Sequence, residues 1–211
     1  MIRSLAVTAC LSVALAACST IPTPSASHGL GFAGTLDGAR GALIAAGYAC
    51  DDPLASEKPL NPSLRPAIAS AYKALYQAFE ITTCKHQGAT QVDSIVSIYA
   101  RRATGEPAGV QVLTPVPDSG ITWAVLDPWV TPVLAQVLSP DARGVVAAAI
   151  QVHLGDDGVA SAKSVEISPA IRLRMPAATK VMSGASIYVW APDLEQASDD
   201  IDAAMTATPA P

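Results

Sequence analysis

Positive charge is the first thing this sequence is short of. Its 13 Lys and Arg stand against 18 Asp and Glu, for a formal net charge of −5 over 211 residues, and they nowhere gather into a stripe. Nucleic acid and anionic headgroups are held by clustered cations, so neither is expected as a partner. Aromatic residues are also few: 2 Phe, 3 Trp and 5 Tyr leave the core to be built mainly from small aliphatic side chains. Catalytic patterns are missing altogether. There is no Gly-x-Ser-x-Gly elbow, no His-Glu-x-x-His pair, no phosphate loop and no calcium loop with its closing Glu. The three histidines, His28, His86 and His153, lie in unrelated contexts. Asp156 and Asp157 in GDDG read as turn formers, and the run from Ser198 to Asp202 reads as a solvated helix face. The expectation is a protein that is not an enzyme and needs no metal or cofactor.

What the chain does have begins at its amino terminus. Residues 1–20, MIRSLAVTACLSVALAACST, carry Arg3 at a positive start, an uncharged apolar run from Ser4 to Ala14, and small residues before a break. A spanning helix needs about 20 apolar residues, and this run is shorter, followed directly by Ser-Thr-Ile-Pro-Thr-Pro. It reads as a signal peptide over residues 1–17. Its ending, Leu15-Ala16-Ala17-Cys18, resembles the lipobox of bacterial lipoproteins, and the resemblance covers only the leader. It implies that Cys18 receives diacylglycerol on sulfur, that cleavage falls before it, and that the new amino terminus is acylated. Each buried methylene contributes about 0.8 kcal/mol, so one chain holds marginally and two or more hold firmly. The membrane, met through acyl chains on Cys18, is therefore one expected partner. Ser19 in the second mature position is similar to lipoproteins sent to the outer membrane facing the periplasm, if the host is Gram-negative.

Removing 17 residues from 211 leaves 194, enough for one domain with a real core. Arg3 leaves with the leader, as does Cys10. Besides Cys18, two cysteines are left, Cys50 and Cys84. In an exported protein such a pair is most simply a disulfide, closing a loop of about 35 residues. A metal site using Cys50, Cys84 and His86 is the rival, though the spacing fits no structural zinc pattern.

Residues 18–34 read as the lipidated cysteine and a flexible tether rich in Pro and Ser. Within it GLGFAG has the letters of a dinucleotide fingerprint at Gly29, Gly31 and Gly34, with Asp51 further on. That fingerprint works only when a buried strand feeds the glycine turn. A proline-broken tether supplies no such strand, so the motif reads as a loose entry into a helix.

Periodicity then predicts a domain over 35–206 and a disordered tail over 207–211. Residues 35–49 read as an alanine-rich helix. Leu64, Ile68, Tyr72, Leu75 and Phe79 form a stripe at helical spacing, which predicts a helix from about Ser63 to Cys84. Thr90 and Asp93 resemble a capping box, with Val92, Ile95, Val96 and Tyr99 as the next helical face. Beyond Gly105 the pattern alternates: 110–114 and 121–125 read as paired strands, 129–138 and 139–154 as helices, 165–167, 171–175 and 187–190 as strands, and 193–205 as a last helix. The fold expected is mainly α, of the α+β kind, helical over about 35–103 and mixed later, with an all-α helical bundle as the alternative.

Two functions fit this reading. The first is a lipid-anchored cell-envelope lipoprotein, a non-enzymatic accessory or interaction module with an unidentified envelope protein partner, which tethering brings to high local concentration. The alternative is a small-ligand-binding envelope lipoprotein whose pocket lies between the helical half and the later strands, lined by Trp123, Trp129 and Trp190.

Overall fold

A seven-stranded antiparallel sheet organises the molecule, with helices on both of its faces. The computed structural model describes residues 30–53, 60–88, 92–115, 122–154, 164–175 and 184–207. In chain order the elements are α1 (Leu36–Ala45), β1 (Tyr48–Cys50), α2 (Pro66–Ala78), β2 (Phe79–Gln87), β3 (Val92–Arg101) and β4 (Pro107–Pro115). There follow α3 (Trp123–Val137), α4 (Pro140–Leu154), β5 (Ser164–Ser168), β6 (Ile171–Arg174), β7 (Gly184–Trp190) and α5 (Pro192–Thr206). Strand order across the sheet is β1-β2-β3-β4-β7-β6-β5. Two meanders, β2-β3-β4 and β5-β6-β7, meet edge to edge where β4 pairs with β7, and β1 extends the far side of β2.

This overturns the expectation of a helical first half, and with it the bundle alternative. The stripe through Leu64, Ile68, Tyr72 and Leu75 does lie in or just before a helix, but α2 stops at Ala78. From Phe79 onward the chain is strand, and 92–101, expected as a capped helix, is strand as well. The physical reason is composition: Ile81, Thr82 and Thr83, then Ile95, Val96 and Ile98, are β-branched residues that lose rotamer freedom in a helix and pack well on a pleated surface. Residues 122–125 differ in the other direction, since Trp123 to Val125 open α3 instead of forming a strand. That helix runs through Pro128 and Pro132.

Side chains alternate across each strand, so the sheet separates two cores. One face carries Cys84, Val96, Ile98, Val110, Val112, Leu173, Ile187 and Val189, covered by α1, α3 and α4. The opposite face carries Phe79, Ile81 and Trp190, covered by α2 and α5. Leu126, Val130, Val133, Leu134 and Val137 on α3, with Val146 and Ile150 on α4, are buried in the larger core. Each fully buried aliphatic side chain of this kind contributes about 1.5–3 kcal/mol.

Local chemistry sets the helix ends. Thr35 accepts the Gly38 N–H at 3.1 Å to start α1, while Pro66 and Pro192, with φ already fixed, stand in the first turns of α2 and α5. At the other end of α5, Arg65 donates to the carbonyls of Ala204 and Ala207 at 3.0 and 2.6 Å, and to that of Met205. Those carbonyls have no partner within the helix, so a cation from the start of α2 locks the two helices in register.

Leu30 to Gly34, which composition assigns to the tether, run along the junction of α3 and α4. Ala33 donates to the Val137 carbonyl at 2.9 Å, Ser139 donates to Gly31 at 3.0 Å, and Phe32 bridges to Leu138. The Ser168 hydroxyl donates to the Leu30 carbonyl at 3.0 Å. Gly34 has φ of 83°, open to glycine and strained for other residues, and it turns this segment into α1. Gly29, Cys18 and the leader lie outside the described residues, as do Thr90 and the GDDG turn.

Candidate functional site

The α2/α5 face of the sheet carries an unusual share of the chain's few aromatic rings. Alternation brings Tyr99 on β3, Gln111 on β4, and Tyr188 and Trp190 on β7 to the same side. Register explains how they fit: Gly109 lies directly opposite Tyr99 on one flank and opposite Trp190 on the other. Having no side chain, it lets the two rings meet across it at a centroid distance of 6.5 Å, nearly perpendicular at 73°. Tyr188 stands 4.7 Å from Trp190 at 68°. From α2, Tyr72 joins them, itself stacked on Tyr76 at 6.1 Å.

These residues surround a cavity of about 190 Å³ between the sheet, α2 and α5. Leu75, Leu194, Ile201 and Met205 supply its aliphatic wall, and Ser198 and Asp202 its polar edge. It is smaller than the 300–1,000 Å³ typical of drug-sized ligands. A water's share of liquid volume is about 30 Å³, so the space suits a group of about six heavy atoms.

Hydrogen bonding within the site is incomplete. Tyr99 donates to Gln111 Oε1 at a long 3.5 Å, and Gln111 Nε2 donates to the Tyr188 hydroxyl at 3.2 Å. The Trp190 Nε1 group is buried with no hydrogen-bond partner among the described residues, although the residue is only 6% exposed. An orphaned buried donor of this kind costs about 1–3 kcal/mol. Burial, and then the nearby Tyr188, Tyr76 and Tyr72, push the Tyr99 hydroxyl well above the ordinary phenol range. Its proton stays on at neutral pH.

Negative charge gathers along the same helix. Arg174 is shared by Asp199 at 3.1 Å and Asp202 at 3.4 Å, so this group of three carries a net charge of −1. Arg172 is likewise shared by Glu166 at 3.2 Å and Glu195 at 3.7 Å. Arg101 and Asp193 form a closer pair, at 2.8 and 2.9 Å. Burial alone would raise the Asp193 carboxyl, but the hydrogen bond and charge of Arg101 outweigh it and hold it below its usual value.

A second cavity, of about 620 Å³, lies at the end of the sheet between Gly31–Gly34, the β3–β4 turn and the start of α5. Its guanidinium, Arg101, is already spent on Asp193, and Glu106 at its edge is exposed. The aromatic groove is the better candidate because Tyr72, Tyr99, Tyr188 and Trp190 converge on it with the amide of Gln111.

Of the three tryptophans expected to line a pocket, Trp190 lines this groove. Trp123 and Trp129 pack against the larger core on the far side of the sheet, Trp129 at 5.2 Å from the His86 ring. Cys50 and Cys84 are bonded to one another as a disulfide, which removes the metal rival built on them and His86. Among the described residues no group of three or more His, Cys, Asp or Glu could hold a metal ion. Asp199 and Asp202, expected to be solvated, pair with Arg174, and Asp200 accepts from Gln196 at 2.9 Å. Periodicity puts Tyr72 and Tyr99 on helical faces and gives no sign of a role for Gln111 or Tyr188. The available signal was Gln111 itself, a polar residue between Val110 and Val112 on an alternating strand.

The architecture defines a class: a three-layer α/β/α sandwich built on a fully antiparallel sheet, with an aromatic groove under two helices. No family model, no curated protein and no solved structure matches the chain.

Proposed function

We propose that this protein is a lipid-anchored envelope lipoprotein whose domain binds a small organic ligand in the aromatic groove. The observation that carries the binding half is the cavity itself, walled by Tyr72, Tyr99, Tyr188 and Trp190 with Gln111 among them. The anchoring half rests on Leu15-Ala16-Ala17-Cys18. Among the described residues no helix is long and apolar enough to cross a membrane, so membrane attachment in this reading falls to acyl chains. Tethering would hold the groove within reach of molecules that move through or along the envelope.

Both halves can be tested separately. Fed an alkyne fatty acid, cells should label the wild-type chain and leave Cys18→Ser unlabelled; equal labelling of the two would end the anchoring half. For the groove, nitrogen-15 NMR of the domain should show three indole N–H signals. A set of small probe compounds is expected to move the Trp190 signal while those of Trp123 and Trp129 stay in place. A Trp190 signal that no probe moves would refute ligand binding at this site.

One observation favours a second reading, the protein-interaction module. The outward face of α4 presents Val145, 42% exposed, and Val152, 75% exposed, beside Gly144 and Ala148. Exposed aliphatic side chains in a row are a common mark of a docking face. Photo-crosslinking from Val152 in the native envelope that captures no protein would remove this reading.

A further inference from the structure

We infer that the outward face of α4 pairs with the same face of a second copy of this chain, the two helices running antiparallel about Ala148. This rests on α4 being a docking face, the second reading above, and goes further by naming the partner.

The composition of α4 is the first observation. From Gly144 to Val152 it reads GVVAAAIQV, without one charged side chain. Val146 and Ile150 are buried in the larger core, while Gly144, Val145, Ala148 and Val152 are exposed, with Gln151 as the polar side chain beside them. A helix that is apolar all round belongs where both of its sides are covered. On the other layer α5 shows the contrast, since its exposed positions include Asp193, Gln196, Asp199 and Asp200. Asp141, Val145, Ala148 and Val152 follow one another at spacings of 4, 3 and 4, the seam by which helices pair.

The shape of this face is complementary to itself. Gly144 leaves a notch, because a Cβ there would have nothing within 4 Å. Val152, at 75%, is the most exposed large hydrophobic side chain among the described residues. It lies eight residues further on, a rise of about 12 Å. A two-fold axis through Ala148, midway between them, sets Val152 of each copy over Gly144 of the other, so that one patch meets itself. Small residues at 144 and 148 allow the helix axes to approach to about 8 Å.

Charge selects the partner. With a formal net charge of −5, two copies repel over most of their surfaces. This face is neutral, and the antiparallel arrangement sends the two Asp141 side chains to opposite ends. Insertion into a bilayer is the competing use of an apolar helix face, but interfacial helices combine Lys or Arg with bulky Trp, Phe or Leu, and this face has none of them. A standard interface buries about 800 Å² on each partner. One stretch of helix falls short of that, so the pairing belongs to copies that the proposed anchor concentrates at one surface.

Full-length chains carrying Gly144→Cys under one tag and Val152→Cys under another, co-expressed and oxidised in the native envelope, test the inference. They should give about tenfold more disulfide-linked heterodimer than either variant gives homodimer, since the bond requires Cα atoms within about 7 Å. Gly144→Leu fills the notch and should cut the self-linking of Ala148→Cys about tenfold. Its urea midpoint should stay at or above that of wild type, because the new side chain enters open space. Equal linking from Ala203→Cys, on the exposed side of α5, would mean crowding alone and overturn the pairing. A photo-crosslinker at Val152 that captures a different protein would overturn the second copy and leave the docking face standing; capture of lipid alone, or of nothing, would overturn both.

Discussion

Replacing Cys50 and Cys84 together with alanine lowers the free energy of unfolding by about 3 to 4 kcal/mol. The disulfide joins residues 34 apart, and in the chain-entropy account a loop of that length restricts the unfolded chain by this amount. Position adds to it. Cys50 and Cys84 face one another in the register of β1 and β2, and Cys84 is fully buried in the larger core. The strand it secures, β1, has three residues and lies at the edge of the sheet. Without the bond, the pairing of Tyr48 to Cys50 with β2 must hold against fraying on three residues alone. Releasing it would uncover the edge of β2, a row of unpaired backbone groups that invites pairing between chains. Urea unfolding of the double variant should therefore show an earlier midpoint, and thioflavin fluorescence should rise on prolonged incubation. A midpoint equal to that of the oxidised wild type would mean that the bridge adds nothing to the fold. Alanine is the right replacement here, since a serine at position 84 would bury an unpaired hydroxyl and mix two effects.

That disulfide was legible because it needs only counting: Cys10 falls in the apolar amino-terminal run, Cys18 at its end, and two cysteines are left. The fold of the first half was not legible by the same means. A helical stripe through Ile68, Tyr72 and Leu75 is real, but periodicity carries no mark of where it ends, and Phe79 continues it by coincidence while opening β2. The residues after it, Ile81-Thr82-Thr83, record the switch in their β-branching, a weaker sign than a stripe of period 3.6. Later strands were easier, because β6 and β7 alternate cleanly: Ile171 and Leu173 face one core, while Arg172 and Arg174 meet acidic side chains of β5 and α5. The groove was the least legible part. Its rings come from α2, β3 and β7, and what brings them together is strand order, with β4 lying between β3 and β7. Spacing along a chain does not encode which strands become neighbours. Trp190 is a lining candidate by sequence, yet nothing local separates it from Trp123 and Trp129, which the fold sends to the opposite face.

Gly109→Val is expected to cost about 2 to 3 kcal/mol and to close the groove. The backbone there is ordinary strand with no need for positive φ, so the requirement for glycine comes entirely from neighbours. A Cβ at this position would run into the Leu194 side chain, lie 2.7 Å from Trp190 Cδ1, and come within 3.2 Å of the Val189 carbonyl oxygen. Leu194 could turn aside, but the indole is wedged between strand and helix and the carbonyl belongs to the sheet. Overpacking of a buried site typically costs 1–3 kcal/mol, and valine, with two further methyls, belongs toward the top of that range. Relief can come only if Trp190 swings away from Tyr99 or α5 lifts from the sheet, and either would reshape the cavity. The variant should lose the response of the Trp190 indole to probes together with stability, while far-ultraviolet circular dichroism holds. Gly41→Ala supplies the opposite sign under the same assay. Gly41 lies inside α1 with nothing within 4 Å of a would-be Cβ, so alanine there should stabilise by about 0.5–1 kcal/mol through helix propensity alone. If Gly109→Val unfolds at the wild-type midpoint, then the rings do not depend on the gap for their arrangement. The groove would then lack the rigid walls on which selective binding depends.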